Sequence, residues 1–136
     1  MSCIDQYIEI LDKEDLNHSD VETVDGNDIV HFGMDLKNVK GVNVLIIFDE
    51  CSASVIIRGI ASVPDDKFGD GLIVCNELNN QYRFSRFTVT DDNEFCAQTD
   101  ALVDEHSAGD EAWAMTINLL KRVDEAYAKL MKAIWA

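Results

Sequence analysis

Proline is nearly absent from this sequence, Pro64 being the single one, and its seven glycines are scattered. No low-complexity linker is present, and neither an internal repeat nor a domain boundary divides residues 1–136. Bases are scarce as well: 11 Lys and Arg stand against 26 Asp and Glu, a formal net charge of −15. Nucleic-acid affinity comes from clustered Lys and Arg, so this balance argues against nucleic acid, and an anionic membrane surface is disfavoured for the same reason.

Long apolar runs are also missing. Val44-Leu45-Ile46-Ile47-Phe48 and Val55-Ile56-Ile57 are far too short to span a bilayer. The start, Met1-Ser2-Cys3-Ile4-Asp5-Gln6-Tyr7, lacks the basic and apolar regions of a signal peptide. Four cysteines, at 3, 51, 75 and 96, form no CxxC pair. A chain of this size can build its own core, so these read as reduced, mostly buried thiols in a cytoplasmic protein.

What is there is clear periodicity. Residues 3–15 read as a helix capped by Ser2, with Ile4, Ile8 and Leu11 on one face. From Ile29 the period becomes two, and Val30, Phe32, Met34 and Leu36 form one apolar face. Strands over Val42–Asp49 and Ala53–Val63 follow through short turns, completing an antiparallel meander. Pro64 opens a second helix carrying Phe68, Leu72, Cys75, Leu78 and Tyr82, which Gly69 and Gly71 weaken. Arg86–Thr90 and Glu94–Leu102 read as a hairpin around Asp91-Asp92-Asn93. The last segment, capped by Asp110, is a long amphipathic helix with Trp113, Thr116, Leu120, Val123, Tyr127, Leu130 and Ile134 in its stripe.

The order α-β-β-β-α-β-β-α predicts an α+β domain with helices on one face of a five-stranded antiparallel sheet. Leu45, Ile47, Ile56 and Ile60, with Arg58 among them, then project from the opposite face, which three helices cannot also cover. A contiguous apolar patch on such a face marks association, and Arg suits an interface. These five residues are the candidate partner-binding surface.

Residue types for chemistry do not converge. His18, His31 and His106 are far apart in sequence, and neither HExxH nor GxSxG occurs. His106 lies among Asp104, Glu105 and Asp110 without the spaced oxygen ligands of a hard-cation site, and reads as a solvated acidic loop. Asp65-Asp66 and Asp91-Asp92 read as a helix start and a turn. No catalytic, metal or cofactor residue is assigned.

The segment Asn76-Glu77-Leu78-Asn79-Asn80-Gln81-Tyr82-Arg83-Phe84-Ser85-Arg86-Phe87, with the amphipathic stretch Val123–Trp135, resembles the YbjN family, described as candidate bacterial sensory transduction regulators. The element order is similar to that of the class I type III secretion chaperone-like fold. The resemblance implies a non-catalytic interaction module without a cofactor, a homodimer or a binder of a protein partner. A chaperone holding an extended client by strand addition is the nearest alternative, and an enzyme with an unrecognised small-molecule site is the distant one.

Overall fold

The structure, a computed structural model, describes every residue except Cys51 and Ala136. The expectations for Cys51, as a buried thiol and as part of the turn before Ser52, lie outside the described residues.

Helix α1 spans Cys3–Lys13, with the Ser2 side chain accepting from the Asp5 N–H at 3.2 Å. It stops two residues early of the expected end because Asp15 adopts φ +58 and the Leu16 N–H donates to the Leu11 carbonyl at 2.9 Å. That is a left-handed helix cap of the Schellman kind. The sheet contains β1 (Glu22–Val24), β2 (Asn27–Met34), β3 (Val42–Phe48), β4 (Ser52–Arg58), β5 (Arg86–Val89) and β6 (Phe95–Leu102). Helix α2 (Phe68–Gln81) follows a 3₁₀ turn at Asp65–Lys67, and α3 covers Ala108–Trp135.

The sheet has six antiparallel strands in the order β1-β2-β3-β4-β6-β5, not five. The extra strand, β1, is three exposed residues with no apolar alternation to reveal it. Its sign in the sequence is Asp25-Gly26, whose φ values of +52 and +81 make the tight hairpin turn into β2. Chain order is broken once: α2 carries the chain past β6 to the far edge, and β6 returns between β4 and β5.

The three helices pack over one face. Val30, Phe32, Val44, Ile46, Phe48, Val55, Ile57 and Phe87 meet Tyr7, Leu11, Leu78, Leu119, Val123 and Leu130 in a single core. Tyr7 sits at its centre, edge-on to Phe48 and Trp113 at 6.0 and 6.1 Å, with its hydroxyl 2.7 Å from Thr116 Oγ1. Burial pushes the Tyr7 phenol well above its ordinary range, and the Thr116 contact opposes this only in part.

Two glycines set the helix positions. A Cβ at Gly109 would stand 2.7 Å from Gln6 Cβ and 2.8 Å from the Gln6 carbonyl carbon, so α1 and α3 touch there through bare backbone. The Gln6 amide fixes this crossing by accepting from the Gly109 N–H at 3.0 Å and donating to the Glu105 carbonyl at 2.6 Å. Helix α3 therefore begins at Ala108, ahead of the expected Asp110 cap, with Gly109 inside its first turn. On α2, Gly71 lies on the buried face, 3.3 Å from Val63 and Val89 as judged from an added Cβ, whereas Phe68 and Leu72 of the expected stripe are exposed.

Candidate functional site: the uncovered sheet face

Strand pairing brings three of the five candidate residues into one patch. Leu45 lies opposite Ile56 on β4 and His31 on β2, and Ile47 lies opposite Ile29 on β2 and Ser54 on β4. Ile29, Leu45, Ile47 and Ile56 are each partly exposed, while their alternating neighbours Val30, Val44, Ile46, Val55 and Ile57 are fully buried under the helices. Ile29 is legible in the sequence by the same alternation, one step from Val30 and so on the opposite face of the strand. Arg58 stands exposed at the edge of the patch, opposite Asn43.

Ile60 is not part of it. The regular strand ends at Arg58, Gly59 takes φ +71, and the backbone turns Ile60 into the core, where it is 4% exposed. Strand alternation cannot be carried through a residue in the left-handed region, so the assignment of Ile60 to the outer face is corrected.

The ionisable groups on this face are of both signs. Glu22 and Asp100 stand against Arg58 and Arg86 on the strands, with His31 between them, and Asp91, Asp92 and Glu94 line the groove beside Ile56 and Arg58, so acids outnumber bases here too. Arg86 lies 3.8 Å from Asp100, and the Gln98 amide donates to the same carboxylate at 2.9 Å. Partial burial would raise the Asp100 carboxyl, but hydrogen bonds from Ser54 and Gln98 and the charge of Arg86 outweigh it and hold it below the usual range.

Both sheet edges are closed to a long partner strand. At one edge, Asn79 on α2 accepts from the Phe87 N–H at 2.6 Å and donates to the Phe87 carbonyl at 3.0 Å. The side chain thereby takes the place of a neighbouring strand along β5. At the other edge, β1 offers only three residues.

The remaining titratable groups have structural surroundings. His106 is 86% exposed at its side chain, 3.5 Å from Glu105, and its backbone N–H is bound by Asp104. Among the described residues, no group of three His, Cys, Asp or Glu side chains is placed to hold a metal. Asp65 accepts from the Asn93 amide at 2.6 Å, tying the start of α2 to the β5–β6 turn. Burial pushes the Cys75 thiol up to about 11. Burial also raises Cys96, against the opposing charge of Arg58. Both are poor nucleophiles at neutral pH. Among the described residues, no helix is long and apolar enough to cross a membrane.

Sequence reasoning missed two strongly exposed apolar side chains away from the sheet face. Phe84, between α2 and β5, is 82% exposed and adopts φ +65. Ile73 on α2 is 60% exposed. A strained loop conformation has no periodic signature, which is why Phe84 went unseen.

The family model for YbjN, whose description reads "Putative bacterial sensory transduction regulator", matches residues 8–129. The chain belongs to the YbjN family. That span includes the uncovered face, Asn79 and the whole α2–β5 connection. The fold is similar to that of "YbjN, a putative transcription regulator from E. coli", with a TM-score of 0.57 at 13% identity, covering 93% of this chain and 92% of that one. No curated protein matches the chain. For this YbjN-family chain, Asn79 gives a physical reason for part of the segment 76–87 that carries the resemblance: an amide at this point of α2 is what closes the β5 edge.

Proposed function

We propose that this YbjN-family chain is a non-catalytic regulatory module that works through protein contacts, and that the uncovered sheet face pairs with a second copy of itself. The observation that carries the reading is the register-matched cluster of Ile29, Leu45, Ile47 and Ile56 on the face without helices. Apolar surface of this kind gains from being removed from water at about 25 cal/mol per Å². Charge selects the occupant. Two molecules of charge −15 repel overall, and Arg58 and Arg86, set on this face beside Asp91, Asp92, Glu94 and Asp100, offer opposite-charge pairs through which two copies can meet.

A chaperone that adds a client strand draws less support, because Asn79 occupies the β5 edge and β1 is only three residues long. The E. coli relative is described as a transcription regulator. In this chain, a net charge of −15 favours action through a protein over direct contact with DNA. Light scattering on the wild type and on Ile56→Asp tests the reading. A dimer that becomes a folded monomer supports it, and an unfolded variant would instead mark Ile56 as core, since an unpaired buried charge costs about 3–5 kcal/mol.

A further inference from the structure

We infer that the helix side of the molecule, the loop Arg83–Ser85 with the adjoining α2–α3 groove, docks an acidic, apolar-bearing segment of a partner protein, with Phe84 as the anchor. This surface is separate from the sheet face of the proposed dimer.

The loop is held rigidly from within. Tyr82 packs on Phe87 at 6.1 Å and lies under the Arg122 guanidinium at 5.0 Å. Ser85 is buried, 6% exposed, and Asn79 fixes Phe87. Between these anchors, Phe84 is pushed 82% into solvent at φ +65, a conformation bulky side chains avoid. An exposed aromatic held in an unfavourable backbone state by its neighbours is the form of a preorganised binding residue.

The chemistry of the surroundings selects the partner. The groove beside the loop, about 530 Å³, is lined by Ile73 and Val74 with Lys67, Lys129 and Lys132, against Asp70 and Glu77. Lys129 reaches the end of α2, donating to Gln81 at 2.9 Å, which joins the groove to the loop. With Arg83 and Arg122, five of the chain's 11 bases gather on this side, against Glu77, Asp70 (3.9 Å from Lys67) and Glu125 (3.3 Å from Arg122). A basic surface with exposed Phe84 and Ile73 fits a segment carrying both carboxylates and apolar side chains. The interspersed Asp70 and Glu77 disfavour a uniformly anionic polymer.

The test is fluorescence anisotropy with a labelled amphipathic helical peptide of leucine and glutamate. Overall repulsion by the acidic chain makes binding diagnostic of a local basic site. Saturable binding is expected, weakened by salt, reduced about tenfold in Phe84→Ala and lost in Lys129→Glu/Lys132→Glu. Both variants are to keep the wild-type melting temperature, because all three side chains are exposed. Ile56→Asp is to bind the peptide as the wild type does, so this inference and the dimer reading fail separately. Absence of saturable binding would overturn the inference, as would affinity unchanged in both variants. Tighter binding of a single-stranded oligonucleotide of equal charge would assign the site to nucleic acid instead.

Discussion

Asn79 and Phe87 are joined by two hydrogen bonds, 2.6 and 3.0 Å long, through which one amide side chain satisfies both outward backbone groups of a buried edge-strand residue. The pair locks α2 to β5 and keeps a foreign strand from continuing the sheet. Asn79→Ala leaves a donor and an acceptor without their partner and should destabilise the fold by about 1–3 kcal/mol. Asn79→Asp keeps the acceptor but places a carboxylate against the Phe87 carbonyl, so it should not restore stability. Urea denaturation of the three proteins checks the order.

Glycine substitutions should separate by position. Gly109→Ala drives a methyl to 2.7 Å from Gln6 Cβ, and should cost about 1–3 kcal/mol or more as α1 and α3 are forced apart. Gly69 has nothing within 4 Å of an added Cβ, so Gly69→Ala should stabilise α2 by roughly 0.5–1 kcal/mol. Thermal melts of the two variants should shift in opposite directions.

These contrasts mark what the sequence could and could not reveal. Helices α1 and α3 and the β2–β3–β4 meander were legible because apolar residues recur at a fixed period over many residues. Leu45, Ile47 and Ile56 were placed on their face by the same alternation. Ile60 was misplaced because Gly59 leaves the strand conformation, and a glycine's φ is not written in its neighbours. Gly71 read as a weakness in α2, yet its lack of a side chain admits Val63 and Val89. Such close approach is a property of packing between elements distant in sequence. Strand β1 stayed hidden because three exposed residues bury nothing.

Phe84 should trade stability for binding. Its φ of +65 costs a side chain roughly 1–2 kcal/mol, which glycine does not incur. Glycine's looser unfolded chain offsets about 0.4–1 kcal/mol of that. Phe84→Gly should therefore melt at or above the wild-type temperature while binding the leucine–glutamate peptide about tenfold more weakly. A lower melting temperature would show that the phenyl ring supports the fold.

His18 should make stability weakly dependent on pH. Its ring bonds to the Ser19 carbonyl at 2.7 Å and to Asp12 at 3.0 Å. The Ser19 contact raises its pKa above 6.5, burial opposes this, and Asp12 adds to the rise. A raised folded-state value means the contribution is complete below pH 6.5 and is lost as pH climbs through that higher value. Proton NMR titration should show His18 titrating above the free imidazole, and Asp12→Asn should bring it down.

The central claim is that the helix-free sheet face joins two copies of this chain. Size-exclusion chromatography with light scattering measures it directly. The wild type should have twice the 15.2 kDa mass of the chain, and Ile56→Asp should elute as a folded 15.2 kDa monomer with an unchanged circular dichroism spectrum. A wild type that stays at 15.2 kDa at every concentration, or an Ile56→Asp protein that remains a dimer, would contradict it.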